Sequence, residues 1–398
     1  MTSEEHLCLS ASVAVYSSGF AKYATWSRYL DAFDDVLVLA RVTKREPHEN
    51  EQRADGPGVS FQPLPDYTGP WRYLQVRRQA RIVARHAIAE CNAYLLRMPG
   101  LVAQMVWHEI VNAKKPYALE VMGDPWDAFS PGTWPHISRP IFRRIATHQL
   151  KRICAGATAI HYLTSQALQR RYPPSKRAYA VGFPDVMLEN AAIPAEAIQD
   201  RSRRLNESPW QDTKSGNPIR IGFIGSFAQM YKGPDTLLHA AALCRSHLNF
   251  QLVMVGAGRH LPEMKTLAAK LGIADRVEFR GELPSGRSIF EFLDSIDLFV
   301  MPSRAEGLPR ALVEAMSRGC PCIASSVGGI PELLDASDLV PPRSSEKLAK
   351  LILQVAADSN RLLAMSARNL AKAAQFSPQA LNESRCAFLE EIKLRSSP

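Results

Sequence analysis

Long apolar runs are missing from this chain. Nowhere in its 398 residues does an uninterrupted apolar stretch reach the roughly 18 residues that a membrane-spanning helix needs. The opening MTSEEHLCLS is acidic and puts no basic segment ahead of the apolar residues, which argues against a secretory leader. Cysteine clusters are missing too. The seven cysteines, at positions 8, 91, 154, 244, 320, 322 and 386, are scattered. Only Cys320 and Cys322 lie close, as C-x-C without a second pair, so the expectation is buried free thiols in a reducing cytoplasm and no metal site. No repeat or low-complexity tract occurs. GAGRH, at 256–260, is glycine-rich but falls short of G-x-G-x-x-G. Acid is scarcer than base, 39 Asp and Glu against 48 Lys and Arg, for a net charge of +9. The excess is spread over both halves with no nucleic-acid motif beside it. Nucleic acid is therefore set aside as a partner, and an anionic small substrate or an anionic lipid surface is kept.

What is present is an ordinary globular mixture, 46% hydrophobic and 22% charged, long enough for two domains. Short Val- and Leu-rich runs alternate with helical stretches. LCLSASVAVYSS, DVLVLARV, AYLLRM, YALEVMG and ATAIHYLT read as strands, and GLVAQMVWHEIVNA and SQALQRRY as helices. The segment from Pro47 to Pro70 is polar and broken by Gly and Pro, and reads as loop. WRYLQVRRQARIVARHAIAE reads as a basic helix whose Arg77, Arg81 and Arg85 share one face, with Leu74, Val83 and Ile88 apolar. That face reads first as a solvated helix face and second as contact with an anionic membrane surface or acceptor. A polar stretch leads into a second alternation: IRIGFIG, a helix from KGPDTLLHAAALC, FQLVMVGAG, RVEFRG, SIDLFVMPS and CPCIASS. The expected class is α/β with largely parallel sheets. The expected division is 1–200, a linker at 201–218, a second domain at 219–375, and a last helix at 376–398.

Chemistry concentrates in AEGLPRALVEAMSRGCPCIASSVGGIPEL, Ala305 to Leu333. SIDLFVMPS ends a strand and Pro309 opens a helix, so Glu306 and Gly307 fall at the carboxyl end of a parallel strand, where open sheets bind ligands. Free N–H groups at such a helix start suit phosphate. A carboxylate offers only acceptors, so Glu306 suits sugar hydroxyls instead. Glu314 lies two turns on and about 80° around, either at the surface or as a partly buried carboxylate among Leu312, Val313, Ala315 and Met316. VGGIPEL offers flexible glycines ahead of a helix start at Pro331 and Glu332, a second anion-friendly element. GSFAQMYKG ends another strand, with Gly225 permitting close backbone approach and Lys232 supplying a point charge for phosphate.

Taken in order, PS-x-x-EG, EAM-x-x-G-x-P, AS-x-x-GG-x-PE, the Lys232–Ala240 segment KGPDTLLHA, LVMVGAG and VEFRGEL resemble the retaining group-4 glycosyltransferases of the GT-B fold, whose mark is E-x7-E, here Glu306 to Glu314. The match runs over about Ile219 to Val340. The first half resembles the family in element order, and segments similar to its LEVMGDPWD occur among relatives that build bacterial surface polysaccharides. The resemblance implies two Rossmann-like domains facing across a cleft, the first binding acceptor and the second a nucleotide-sugar donor, with the last helix crossing back. It implies that Glu306 meets donor-sugar hydroxyls, Glu314 the ribose and Lys232 the diphosphate. Backbone near Gly307 and Leu308 would hold sugar and phosphate, and the loop after Gly225 would face the cleft. It implies no metal and no cofactor beyond the donor substrate.

Two positions depart from the family. Its usual arginine after Gly225 is Ser226 here, with Arg304 or Arg259 as substitutes. Its histidine near the transferred sugar is replaced at Gly123-Asp124, where Asp124 either meets sugar or acceptor or is a turn residue before Pro125. The expected activity is sugar transfer to a lipid-linked oligosaccharide or polysaccharide at the cytoplasmic face of the inner membrane, with peripheral contact to that membrane. A non-catalytic sugar-nucleotide-binding or assembly subunit, or a sugar-nucleotide epimerase, is the alternative.

Overall fold

The computed structural model describes residues 1–19, 21–129, 136–184, 195–207, 217–284 and 286–396. The first half runs β1 (Thr2–Leu9), β2 (Val15–Ser17), α1 (Tyr23–Ser27), β3 (Val36–Lys44), β4 (Gln52–Arg53), β5 (Val59–Leu64), α2 (Pro70–Glu90), β6 (Leu95–Met98), α3 (Leu101–Asn112), β7 (Ala118–Val121), α4 (Pro125–Ala128), α5 (Arg139–Gly156), β8 (Ala159–Tyr162), α6 (Ala167–Arg171) and β9 (Tyr179–Gly182). The second runs α7 (Ala195–Glu207), β10 (Ile219–Ile224), α8 (Pro234–Cys244), β11 (Phe250–Val255), α9 (Leu261–Lys270), β12 (Val277–Gly281), α10 (Arg287–Ser295), β13 (Leu298–Met301), α11 (Arg310–Ser317), β14 (Cys322–Ser325), β15 (Leu339–Val340), α12 (Ser345–Ala356) and α13 (Ser359–Ala373), and α14 (Pro378–Ser396) follows.

The second half is a six-stranded parallel sheet in the order β12-β11-β10-β13-β14-β15. Its central strands are apolar at nearly every position because helices cover both faces. All four residues of β13 are fully buried. Chain order reverses between β10 and β13, and this switch point opens a crevice at their carboxyl ends. The loops GSFAQMYKG and PSRAEGL leave the sheet there, which brings Lys232 and Glu306 together from 74 positions apart.

The first half holds a parallel sheet β6-β7-β8-β9 and a mixed sheet β4-β2-β1-β3-β5. They meet where the Arg97 N–H donates to Thr2 Oγ1 at 3.2 Å. Glu4 Oε1 accepts from the N–H groups of Val102 and Ala103, at 2.8 and 3.2 Å, at the start of α3. The stretch from Pro47 to Pro70 is not all loop. Val59–Leu64 pairs with β3 and buries Val59 and Leu64. Its polar alternation disguises a strand, and Pro63 is tolerated because β5 is at the sheet edge.

Helix α14 packs Leu381, Phe388, Leu389 and Ile392 into the same apolar cluster as Leu7, Trp26, Leu95 and Ala159 of the first half. Helix α7 lies against the second half through the buried Leu205 and Arg201, with Arg204 Nε donating to Asp297 Oδ1 at 2.8 Å. The Arg201 guanidinium donates to the carbonyls of Leu293 and Ile296, at 2.6 and 3.3 Å, and to that of Arg318. Truncation would remove these charge-assisted bonds and leave a void in the interior, so Arg201→Ala is expected to lower unfolding stability by about 3 kcal/mol, read from the urea midpoint at unchanged m.

Candidate functional site

At the crevice, Lys232 closes a single 3₁₀ turn, Met230–Lys232, after β10. Its Nζ donates to Glu306 Oε1 at 2.7 Å, with both side chains largely buried. Burial opposes the ammonium charge, but Glu306 and Tyr231 outweigh it and hold the Lys232 pKa above its usual range. The contribution of the lysine charge to stability is therefore complete at neutral pH and is lost as pH rises through that elevated value. Gly225 faces the lysine stem. A β-carbon there would stand 3.1 Å from Lys232 Cβ and Cγ and 2.7 Å from the Phe223 ring.

Glu306 and Gly307 lie against Gly328 and Gly329. The Gly329 N–H donates to Gly307 O at 2.7 Å. Gly328 has φ +54°, and a β-carbon on it would fall 1.9 Å from Glu306 O. Leu308 is buried beside them. Glu314, on α11, is buried and accepts from Arg310 Nε at 2.8 Å. Of the two sequence readings, the buried, partnered carboxylate is the one found.

The first half closes over this corner. A β-carbon on Gly307 would be 3.1 Å from both Met122 O and Leu163 Cδ2. Asp124 caps α4, accepting from the Trp126 N–H at 2.8 Å, and binds the Tyr172 hydroxyl and the Arg171 guanidinium. Arg171 also reaches Asp127 at 3.3 Å. Burial first, and the Asp124 charge second, push Asp127 above the usual carboxylate range. Asp124, Asp127 and Arg171 line a cavity of about 50 Å³ with Glu306, Gly307, Gly328 and Gly329. That volume is one corner of a site, since pockets for drug-sized ligands run to roughly 300 Å³ and above. Among the described residues, no group of three His, Cys, Asp or Glu is placed to hold a metal ion.

The chain matches the family described as glycosyl transferases group 1 over residues 206–375. It is 28% identical over 345 residues to protein CapJ of Staphylococcus aureus, covering 85% of this chain and 81% of that one. It is also 28% identical over 324 residues to 2-deoxystreptamine glucosyltransferase of Streptomyces kanamyceticus, covering 77% and 80%. Its fold superposes on Anabaena Alr3699/HepE, solved in complex with UDP and glucose, with a TM-score of 0.64 and 18% identity over 93% of this chain and 95% of that one. The chain is a glycosyltransferase of the GT-B fold, related to group 4.

Within this glycosyltransferase the structure gathers Gly225, Lys232, Glu306, Gly307 and Leu308 at one place, with Asp124 facing them. Ser226 is exposed and accepts from the Ala228 N–H at 3.1 Å. The two arginines expected to replace its missing charge are otherwise engaged. Arg304 binds Asp235, and Arg259 donates to His260 Nε2 at 3.2 Å. The cation at the cavity is Arg171, which sequence reading passed over inside the short helix QALQRRY. Glu332 was missed in a different way. Ile330–Glu332 is a single 3₁₀ turn rather than a helix able to hold an anion. Its carboxylate instead accepts from the N–H groups of Ser165, Gln166 and Ala167, at 2.6, 3.0 and 2.6 Å, in the opposite half.

Glu332→Ala is expected to raise hydrogen exchange at the amides of 165–167 at least tenfold, by removing contacts worth about 1.4 kcal/mol or more together, with second-half amides unchanged. Gly328→Ala puts a side chain into the Glu306 carbonyl at positive φ. It is expected to cost about 2 kcal/mol or more, read as a lowered thermal midpoint.

Proposed function

We propose that the enzyme transfers a sugar from a nucleotide-diphosphate sugar, held by the second half, to a hydroxyl of a saccharide or lipid-linked saccharide bound by the first half, keeping the anomeric configuration. The observation that carries this reading is the Lys232–Glu306 pair at the strand carboxyl ends. An incoming diphosphate competes for Lys232, because phosphate oxygens offer an ammonium more acceptors and more charge than one carboxylate. Glu306, so released, turns its oxygens to donor-sugar hydroxyls. Backbone at Gly307 and Leu308 follows the sugar and phosphates, Glu314 accepts from the ribose, and Gly225 leaves room for the donor beside Lys232. Ser226 contributes a hydroxyl rather than a charge.

The transferred sugar passes through an oxocarbenium-like state while the diphosphate leaves with growing negative charge. Lys232 stabilises that charge, and closure of the halves keeps water from consuming the donor. No side chain is assigned as a covalent nucleophile. Asp124 faces this corner from the acceptor side. Its carboxylate already accepts from three donors, which leaves about one lone-pair position for a substrate hydroxyl. The division of labour follows 1–200, 201–218, 219–375 and 376–398 as acceptor domain, linker, donor domain and closing helix, except that 195–207 form α7, which packs on the donor half through Arg201 and Leu205. Residues 208–216 of that linker lie outside the described residues. The setting is the cytoplasmic face of a membrane with peripheral contact to anionic lipid, and nucleic acid is not a partner. No helix among the described residues is long and apolar enough to cross a membrane.

Calorimetric titration with a panel of sugar nucleotides, without added metal, tests the donor site. One donor is expected to bind selectively, with affinity falling about tenfold or more in both Lys232→Ala and Glu306→Ala. Absence of binding to every donor by the folded wild type would overturn the reading and favour a subunit that has lost the reaction.

A further inference from the structure

Helix α5 breaks the usual rule for a surface helix. It turns Thr147, Leu150, Ile153 and Cys154 to the core. At 100° per residue the face opposite holds Ile141, Ile145, His148 and Arg152. A solvated helix is polar there, yet Ile141 and Ile145 are 61% and 56% exposed, Phe142 is exposed beside them, and Ile137 just ahead is 97% exposed. Charge surrounds this stripe. Helices α2 and α5 each carry five Lys or Arg, and Glu90 is their only acid.

The two helices flank α3 on one side of the β6-β7-β8-β9 sheet. From α2, Arg81 and Arg85 reach across to the buried Glu109 of α3. From α5, Arg144, Ile145, His148 and Arg152 form a groove of about 470 Å³ with Trp107 and His108 of α3. The Arg152 guanidinium stands 5.9 Å from the Trp107 ring. His108 is held below its usual pKa, by burial first and then by Arg81, with Arg152 adding to it and Glu109 opposing, which places cations of both outer helices around one point. Of the expected Arg77, Arg81 and Arg85 stripe, Arg81 and Arg85 thus share one buried glutamate while staying 42% and 61% exposed, and the basic surface of α2 continues onto the exposed face of α5.

We propose that the α5 face, with Ile141, Phe142 and Ile145 inserted at the headgroup boundary and Arg144, Lys151 and Arg152 on lipid phosphates, docks this enzyme on an anionic bilayer. Apolar side chains at that depth, with cations reaching back to phosphate, match an interfacial helix lying in the membrane plane. Charge disfavours a second copy of the chain, because a twofold contact would oppose two rows of arginine without acids to pair them. The apolar stripe has no use against a nucleic-acid backbone. The inference deepens the membrane setting proposed above and names its surface.

The test is co-sedimentation of the intact protein with vesicles of phosphatidylcholine, alone or mixed with phosphatidylglycerol. Mixed vesicles are expected to bind at least about tenfold more protein, with the excess lost in high salt. Ile141→Ser with Ile145→Ser, and separately Arg144→Gln with Arg152→Gln, are each expected to reduce binding about tenfold or more while donor affinity and thermal midpoint stay at wild-type values. The arginine pair decides the matter if the isoleucine pair fails to fold. Equal binding to both vesicle types, or binding unchanged in the folded variants, overturns the proposal. So does a dimer in light scattering that either variant converts to monomer. Vesicle binding needs no donor, so loss of donor binding with vesicle binding intact would strike the donor-site reading alone.

Discussion

Backbone pressed on backbone at Glu306-Gly307 and Gly328-Gly329 is the constraint from which the rest of the site follows. Gly328 packs so closely on Glu306 O that no β-carbon fits, and Gly329 fixes the strip by donating to Gly307 O at 2.7 Å. With that strip held, the Glu306 side chain extends toward the β10 loop, where it meets Lys232. The lysine can lie flat there because Gly225 has no side chain to displace its stem. On the other side, Gly307 lets Met122 and Leu163 of the first half approach to van der Waals distance. Three short glycine segments from distant parts of the chain thus set the position of one buried ion pair and the closure of the cleft over it.

The charges in this closed state are matched within the protein. Lys232 pairs with Glu306, Arg171 with Asp124, Arg304 with Asp235 and Arg310 with Glu314. A buried cation without a partner costs several kcal/mol, so a cleft lined by idle lysine and arginine would itself be unstable. The carboxylates neutralise and align the cations in this state. Under the proposed donor binding, an anion of higher charge would replace them, and one residue would serve both purposes. A glutamate that neutralises Lys232 here would become a hydroxyl acceptor once the lysine turned to phosphate.

The parts legible in sequence were those fixed by local rules. Strand runs such as SIDLFVM and FQLVMV are apolar because they are covered on both faces, and Pro309 and Gly319 punctuate α11 as helix signals should. Their position at strand carboxyl ends then made Lys232 and Glu306 readable as candidate site residues, though not as partners of each other. Tertiary pairing decided what sequence missed. Val59–Leu64 looks like loop because its alternation is polar, and only pairing with β3 makes it a strand. Arg81 and Arg85 look like a free basic stripe until Glu109, on another helix, is found between them. Arg171 carries no motif at all, and its place at the cavity depends on where the first half closes.

Glu332 takes this reasoning one step further. The sequence V-G-G-I-P-E suggests an anion site, and the structure does show an anion on backbone N–H groups, but the anion is the glutamate itself and the N–H groups belong to residues 165–167. Only two residues separate Gly329, fixed on the Glu306 strip, from Glu332, fixed on the first half. A segment that short has little slack. The strip that aims Glu306 at Lys232 and the contact that holds the two halves together are therefore parts of one rigid turn. Opening the cleft must break the Glu332 contacts, shift the Gly328-Gly329 turn against Glu306, or both. Closure and the aim of the donor-site carboxylate are set by the same six residues, Val327 to Glu332.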